Sequence, residues 1–298
     1  MQIGIITARD PSYHPNRRLL EAAESLGVRV ELLHPYNIWS GLASGQPLAI
    51  GLPQLEQCKI LLPRVGATIS DYGLSLFEHL ELAGFKLVNG SAAINICRHK
   101  FRTLQVLAAS GLPVLDTYMV NSLAGYADAV RRLQGPPAVV KLVSSRQGAG
   151  VFLVEQGGDD PLLGQDRLSA VMEQRQGVLV QRFLPPKGRR DIRVFVLGAA
   201  DAWAMEIKPA PGEFRANVHL GGTGKVLPAQ GDMIELAQSA RKAAGLDIAG
   251  VDLMQDAEGA WWLGEVNFTP GFKGLEQATG VDIAARMLEF AMQDQGSG

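Results

Sequence analysis

The stretch 250–267, which reads GVDLMQDAEGAWWLGEVN, carries the clearest chemical signal in the chain. If its two strands turn at Glu258-Gly259, Asp252 lies directly opposite Glu265, because paired positions in a two-residue hairpin have a constant sum. Asn267 stands two residues past Glu265 and shares its face. Facing carboxylates repel each other unless a cation lies between them, and magnesium prefers oxygen ligands. The apolar residues that flank the acids favour a magnesium site over the alternative, a solvated hairpin face.

A second candidate site lies upstream of this hairpin. Lys141 ends an apolar run at 139–140, and residues 144–150 then read SSRQGAG before another strand. Gly148 and Gly150 let the backbone approach a phosphate closely, and the lysine would neutralise phosphate charge. A plain hairpin turn explains the loop about as well, and the loop lacks the GxxxxGK[ST] pattern.

Several basic residues between and before these regions have spacings that suit anion binding. Asp191 and Arg193 share one face of a predicted strand, and Arg215 and Asn217 repeat the same spacing. Forked guanidinium groups suit carboxylates and phosphates, whereas the alternative for each pair is a surface ion pair. Lys100, at the start of a predicted helix, is by itself more typical of a solvated basic cluster.

The amino-terminal region predicts a small open α/β domain. Strands at 3–7 and 28–33 flank a helix that should end at Gly27, which makes a βαβ unit. The residues after the first strand are ARDP, so the GxGxxG fingerprint of a dinucleotide site is missing. Later helices are predicted near 101–110, 233–244 and 282–292, and the intervening segments alternate as strands.

Composition and charge exclude several classes of protein. The chain has 298 residues, 47% of them apolar, with a formal net charge of -2, so no overall basic field attracts nucleic acid. The sequence shows neither a signal peptide nor the run of about 20 apolar residues that a membrane helix needs. Cys58 and Cys97 lack CxxC spacing and are interpreted as reduced thiols. We expect a cytoplasmic homo-oligomer with no membrane and no nucleic-acid partner.

The order of these motifs resembles that of the RimK-like ATP-grasp ligases over essentially the whole chain. The matching segments are RHKFR at 98–102, Lys141, QGAGV at 147–151, QRF at 181–183, RDIR at 190–193, FRAN at 214–217, AGVD at 249–252, EVNFTPG at 265–271 and GLE at 274–276. The resemblance implies an α/β fold of the α+β ATP-grasp type. An open pre-ATP-grasp domain at 1–92 would precede two α+β subdomains, 93–181 and 182–298, that hold ATP between them.

The resemblance also implies a role for each candidate residue. Phosphate contacts fall to Lys100, Lys141, Gln147 and Gly148. The adenine hinge is formed by Gln181, Arg182 and Phe183, with Asp191 near the ribose. The γ-phosphate is approached by Arg215, Ala216 and Asn217, and Arg193 and Arg215 are the expected catalytic residues. Asp252, Glu265 and Asn267 would bind two Mg²⁺ ions, for which Mn²⁺ may substitute. The sequence departs from the family at Arg182, where glutamate is usual.

The activity that the resemblance implies is the joining of L-glutamate to an acceptor carboxylate through an acyl-phosphate, for example at the C-terminus of a ribosomal protein. Four arginines suit the carboxylates of such substrates, namely Arg189, Arg190, Arg193 and Arg215. One alternative is a related ligase that uses another amino acid and a small-molecule or carrier-protein acceptor. A non-catalytic nucleotide sensor is disfavoured by the intact metal residues, and a nicotinamide dehydrogenase by the missing glycine fingerprint.

Overall fold

The fold was analysed on a computed structural model, which describes residues 2–66, 69–143, 150–155, 177–216 and 221–293. The amino-terminal part contains β1 (Gln2–Ile6), α1 (His14–Leu26), β2 (Arg29–Leu33), β3 (Trp39–Ala43), β4 (Gln46–Ile50), β5 (Cys58–Pro63), α2 (Asp71–Leu82) and β6 (Lys86–Leu87). Four of these strands form a parallel sheet in the order β2-β1-β5-β6. β1 is buried along its whole length, as expected for a strand that is covered on both faces.

The predicted βαβ unit is confirmed by β1, α1 and β2. α1 ends at Gly27, whose φ of 64° is the left-handed conformation that glycine adopts at low cost. β3 and β4 form a separate antiparallel hairpin, which contacts α2 and leaves several apolar side chains exposed.

The central sheet follows two short helices, α3 (Ser91–Cys97) and α4 (Lys100–Ala109). Its elements are β7 (Thr117–Val120), α5 (Leu123–Arg132), β8 (Ala138–Leu142), β9 (Val151–Val154) and β10 (Val178–Arg182). The strands pair antiparallel in the order β7-β10-β8-β9. α5 covers one face through Tyr126 and Ala129, which pack with Val140 and Val180.

The carboxy-terminal sheet carries most of the candidate site. Its elements are β11 (Arg190–Leu197), β12 (Asp201–Lys208), β13 (Thr223–Leu227), α6 (Asp232–Ala243), β14 (Ile248–Gln255), β15 (Trp261–Asn267), α7 (Lys273–Thr279) and α8 (Ile283–Gln293). The strands pair antiparallel in the order β13-β12-β11-β14-β15. α6 packs on one face with Val194 and Val251, and α8 packs against α1.

Asn89 joins the amino-terminal sheet to the carboxy-terminal one. Its buried side-chain amide donates to the carbonyl oxygens of Ile248 and Phe268, over 2.8 and 2.9 Å. Its Oδ1 atom accepts from the backbone N–H groups of Asp247 and Ile248, over 2.6 and 2.8 Å. A single side chain therefore satisfies backbone groups of β14 and of the loop that follows β15.

The expected α/β fold is confirmed, and the three long predicted helices appear as α4, α6 and α8. The segment at 113–114 bonds to Leu263 of β15, so the chain before β7 packs on the carboxy-terminal sheet rather than on the central one. The exact boundaries 1–92, 93–181 and 182–298 remain predictions. Among the described residues, no helix is long and apolar enough to span a membrane.

Candidate active site

The acidic pair lies on the hairpin of β14 and β15. Asp252 pairs with Glu265, which confirms the predicted juxtaposition. The predicted turn at Glu258-Gly259 is wrong, because Gln255 pairs with Trp261 and leaves residues 256–260 between the strands. The loop is therefore longer than two residues.

A β-bulge restores the register on the side of the acids. Leu253 pairs with Leu263 but Asp252 pairs with Glu265, so Gly264 is an extra residue on β15. A Cβ atom at Gly264 would lie 3.3 Å from the carbonyl oxygen of Asp252, which is tighter than most contacts of this kind. The longer loop and the bulge offset each other, and the two carboxylates keep the predicted facing positions.

Arg193 neutralises one of the two acids. Its Nε and Nη2 atoms donate to Oδ1 and Oδ2 of Asp252, each over 2.7 Å, across the pairing of β11 with β14. The charge of Asp252 raises the pKa of Arg193 above its already high value, against the effect of burial. The fork is bidentate, which is the strong geometry for this pair. Arg193, Asp252 and Glu265 thus form a row across three adjacent strands.

Glu265 and Asn267 occupy the outer strand on the same face. Both residues are exposed, and Oδ1 of Asn267 accepts from the backbone N–H of Thr269 over 2.9 Å, which orients the amide. Together with Asp252 they supply oxygen ligands alone, the set that Mg²⁺ prefers. The described residues contain no cluster of three or more His, Cys, Asp or Glu side chains suited to a metal. Two acids and an amide therefore fit an ion that takes its remaining ligands from substrate and water.

Lys141 brings positive charge from the central sheet to these acids. It lies near the end of β8, and its burial lowers its pKa to about 8. Glu265 and Asp252 raise that pKa, whereas Lys100 and Arg189 lower it, so all four charges act at short range. Lys100 begins α4, where the ring of His99 caps the helix. The two predicted phosphate lysines thus lie in one charged cluster with the predicted metal ligands.

The hinge residues make specific contacts at the end of β10. Gln181 is buried, and its side-chain amide donates to Oγ1 of Thr117 over 2.8 Å, so the side chain bonds to a neighbouring strand of the central sheet. The guanidinium of Arg182 stacks on the ring of Trp262, with its Cζ atom 4.4 Å from the ring centroid. Phe183 meets Phe214 edge to face, with ring centroids 6.2 Å apart. The residue that departs from the family pattern therefore contacts the carboxy-terminal hairpin.

Arg189 is a positioning residue that its sequence motif did not reveal. Its buried guanidinium donates to the carbonyl oxygens of Leu184 and Phe214, each over 2.7 Å, and to Oδ2 of Asp191 over 3.0 Å. Burial raises the pKa of Asp191, and the neighbouring Arg189 opposes that effect. One side chain thus holds the segment after the hinge, the predicted ribose residue and the loop before Arg215. In the sequence, Arg189 belongs to the basic run KGRR at 187–190, which has no feature that distinguishes it from a solvated turn.

Arg215 is oriented by Glu213. Its Nε and Nη2 atoms donate to the two oxygens of Glu213 over 2.8 and 2.6 Å, and this pairing lowers the pKa of Glu213 to about 2. Ala216 is half-buried beside it. The candidate residues Gln147, Gly148 and Asn217 lie outside the described residues.

Every arginine that the sequence suggested for substrate carboxylates has an acidic partner within the protein. Arg189 pairs with Asp191. Arg190 pairs with Glu206. Arg193 and Arg215 pair with Asp252 and Glu213. Each guanidinium group must release or share its acidic partner before it can hold a substrate carboxylate. The carboxylate-binding role therefore remains a prediction for all four arginines.

The family of the chain follows from comparison with known proteins. Residues 97–291 match the RimK-like ATP-grasp domain, and residues 1–94 match the RimK PreATP-grasp domain. A probable alpha-L-glutamate ligase of Thioalkalivibrio sulfidiphilus (strain HL-EbGR7) is 35% identical over 295 residues, which are 99% of this chain and 96% of the relative.

Two solved structures show the same fold. The RimK domain protein ATP-grasp from Sphaerobacter thermophilus DSM 20745 has a TM-score of 0.68 at 22% identity, covering 98% of this chain and 100% of that chain. The D-alanine–D-alanine ligase from Bacillus anthracis complexed with ATP has a TM-score of 0.71 at 18% identity, covering 98% and 96%.

The family model and the 35%-identical relative identify an ATP-grasp ligase, and the solved structures share its fold. The chain belongs to the RimK-like ATP-grasp family. The dehydrogenase alternative is therefore wrong, since the amino-terminal α/β unit is the pre-ATP-grasp domain of that family.

Proposed function

We propose that the protein uses ATP and two Mg²⁺ ions, for which Mn²⁺ can substitute, to join L-glutamate through its amine to an acceptor carboxylate. The row of Arg193, Asp252 and Glu265, with Lys141 and Lys100 beside it, carries this proposal. It combines oxygen ligands for a cation with ammonium groups suited to phosphate oxygens. The name of the 35%-identical relative, probable alpha-L-glutamate ligase, supports glutamate as the amino acid.

The chemistry proceeds in two balanced steps. A carboxylate oxygen of the acceptor attacks the γ-phosphorus of ATP, the bond to the β-phosphate oxygen breaks, and ADP leaves. The amine of glutamate then attacks the acyl carbon, loses a proton and expels inorganic phosphate. Bound magnesium would offset the negative charge that develops on the transferred phosphoryl group.

The chain's own residues have distinct parts in this scheme. Lys141 and Lys100 would hold phosphate oxygens, and Arg215 would approach the γ-phosphate when it leaves Glu213. Arg193 would keep Asp252 oriented toward the metal side of the hairpin. Arg189 holds Asp191 and the hinge segment in place. Water must be excluded, since it would hydrolyse the acyl-phosphate.

The test is a ligation assay read by mass spectrometry. The protein is incubated with ATP, magnesium and each amino acid in turn, with a peptide ending in glutamate as the acceptor and the C-terminal peptide of a ribosomal protein as a second one. We expect phosphate release and a mass gain of one or more glutamate residues. Ligation of another amino acid but not glutamate would overturn the substrate assignment, and ATP binding without any ligation would support the nucleotide-sensor reading.

We also propose that the protein forms a homo-oligomer through the β3–β4 hairpin. Trp39, Leu48 and Ile50 share one face of this hairpin and are 57%, 46% and 45% exposed. Exposed apolar faces mark interaction sites, and the same face of two copies can meet across a twofold axis, the commonest symmetry of homo-oligomers. We expect Ile50→Lys to lower the molar mass measured by light scattering, whereas Lys59→Gln, at an exposed site on β5, leaves it unchanged. A monomeric wild-type protein would contradict the proposal.

A further inference from the structure

The region beyond the carboxyl ends of β1 and β5, called the crevice below, lies outside the ATP-side cluster described above. In the strand order β2-β1-β5-β6, β2 lies on one side of β1, and the next strand of this sheet along the chain, β5, lies on the other side. Ligands of open parallel sheets bind at such a switch point, beyond the carboxyl ends of the strands. Arg64 follows β5 directly, and α1 begins above the end of β1.

Buried polar atoms without partners concentrate at this crevice. Within the described part of the chain four such atoms occur, and three belong to this region: His14 Nδ1, Asn16 Oδ1 and Arg64 Nε. The rings of His14 and Phe272 lie 5.8 Å apart, and the Cζ atom of Arg64 lies 5.9 Å from the same phenyl ring. Buried polar groups normally have partners, so their concentration at one place indicates a site that a ligand completes.

Arg64 differs from the four paired arginines described above because it has no acidic partner among the described residues. Its Nη2 atom donates to the carbonyl oxygen of Pro270 over 2.9 Å. Burial lowers its pKa to about 10, with only a small opposing effect from Tyr13. Arg64 is half-buried, and its Nε atom is buried without a partner. Such a donor is costly when it lacks a countercharge, and a carboxylate is the best-matched partner of a guanidinium.

The crevice is connected to the ATP side of the molecule. Pro270, which accepts from Arg64, stands three residues after the candidate metal ligand Asn267 on the loop that follows β15. Arg9, at the exposed end of β1, lies over the ring of Tyr13 and offers a second cation at the rim. The crevice thus places the guanidinium of Arg64 next to the loop that follows the candidate metal ligand Asn267, with Glu276 3.9 Å from His14 on its other side.

We propose that Arg64 binds a substrate carboxylate that does not react, a role that rests on the proposed ligase function. Both substrates of that reaction carry such groups. Glutamate has two carboxylates that must stay away from the γ-phosphate while its amine attacks, and an acceptor ending in glutamate has one besides the carboxylate that is activated. The guanidinium of Arg64 would hold either of them and fix which end of the molecule points at the reacting phosphate.

The experiment measures binding directly and therefore does not depend on turnover. Calorimetry with Mg²⁺ and a non-hydrolysable ATP analogue compares wild type, Arg64→Gln and Arg64→Lys, using L-glutamate and a glutamate-terminated peptide as separate ligands. We expect Arg64→Gln to weaken one of the two ligands by about 30-fold, as for the loss of a charge-assisted hydrogen-bonded pair, and Arg64→Lys to weaken it less. The weakened ligand identifies the source of the carboxylate.

Amide analogues separate recognition from a structural effect. Wild type should discriminate against the analogue in which the recognised carboxylate is an amide, and Arg64→Gln should bind acid and amide equally. Arg29→Gln, at the exposed amino end of β2 on the opposite edge of the sheet, should match wild type. Equal affinities of wild type and Arg64→Gln for both ligands, equal weakening of acids and amides, or no binding of either ligand to wild type would overturn the proposal. The mass of the wild-type product tests the ligase function separately.

Discussion

At the scale of single residues, the most informative position is Arg182. Its guanidinium stacks on Trp262, and the indole N–H of Trp262 donates to Oδ2 of Asp256 over 2.8 Å. The backbone N–H of Arg182 donates to the carbonyl oxygen of Asp116 over 2.9 Å, so the main chain of the hinge is held independently of the side chain. The side chain of Arg182 therefore contacts the carboxy-terminal hairpin, whereas its backbone is held by the central part of the chain.

The metal assignment predicts the effect of Glu265→Gln. The substitution preserves shape but removes a charge that the cations would share, and Glu265 is exposed, so folding should not suffer. We expect ATP turnover to fall by at least about 100-fold, since preorganised charge stabilisation commonly contributes that much. Glu258→Gln, at the exposed turn of the same hairpin, is the matched control. Normal ADP release by Glu265→Gln would remove this residue from the metal site.

The lowered pKa of the half-buried Lys141 predicts a pH dependence of ATP binding. Because its pKa in the folded protein is about 8, the ammonium group loses its proton as the pH rises through that value. The dissociation constant for ATP, measured by calorimetry between pH 6.5 and 9.5, should rise above about pH 8 by up to tenfold per pH unit for one linked proton. Lys141→Met should bind ATP weakly with no such inflection. A wild-type constant that stays flat through this range would contradict the phosphate role.

The burial that lowers the pKa of Lys141 also predicts that the stability of the fold increases with pH, whereas ATP binding weakens. The folded-state pKa of Lys141 lies below its ordinary value of 10.5, so the protonated form opposes folding at pH 7, and this penalty disappears as the pH rises from 8 toward 10.5. Lys141→Met should therefore raise Tm at pH 7 while it weakens ATP binding. A charge that costs stability but is kept for function is expected at a binding site.

At the scale of elements, the β14–β15 hairpin shows how two irregularities preserve one functional pair. The loop at 256–260 and the bulge at Gly264 change the register in opposite directions, and Asp252 stays opposite Glu265. Gly250, on the inner strand, pairs with Asn267 and leaves room for the loop that returns over it. The metal face therefore depends on glycines as well as on acids.

Gly250→Ala tests this dependence. An added Cβ atom would lie 2.7 Å from Cβ of Pro270, a distance that forces the loop after Asn267 to move. We expect a lower Tm and at least about a tenfold loss of ATP turnover, because displaced ligands lose the geometry that catalysis needs. Gly271→Ala is the control in the same loop, since an added Cβ atom there meets nothing within 4 Å. Equal turnover in the two variants would show that the loop tolerates the shift.

At the scale of the whole molecule, the amino-terminal sheet and the carboxy-terminal sheet are joined by polar as well as apolar contacts. Asn89 bonds to β14 and to the loop after β15, while Arg18 on α1 pairs with Glu276 and Asp282 at 3.0 Å each. α1 also packs on α8. These contacts keep the crevice of Arg64 next to the loop that follows Asn267.

The junction predicts a large effect of Asn89→Ala. Four hydrogen bonds would be lost, and buried backbone groups of the carboxy-terminal sheet would be left without partners. We expect the free energy of unfolding to fall by about 3 kcal/mol, measured by urea denaturation. Asn37→Ala, at an exposed position, should change it by less than about 0.5 kcal/mol. A loss no larger in Asn89→Ala than in Asn37→Ala would show that the junction is not needed for stability.

Local patterns in the sequence determined the elements and the facing acids. A short apolar run predicted β1 and helical spacings predicted α4, α6 and α8, because these signals depend only on residues a few positions apart. The pairing of Asp252 with Glu265 was predictable for the same reason, although the turn assumed for it was wrong. The ordered motifs indicated the ATP-grasp family, which the comparisons confirm.

Only the tertiary structure decided which charges are already paired. Arg193 meets Asp252 across 59 positions of the chain, Arg64 meets Pro270 across 206, and Asn89 meets Phe268 across 179. No spacing rule reaches that far, because such partners are chosen by the packing of whole sheets rather than by neighbours along the chain. Arginines that look alike in the sequence therefore differ in the structure: Arg193 has an acid beside it, whereas Arg64 has no acidic partner among the described residues.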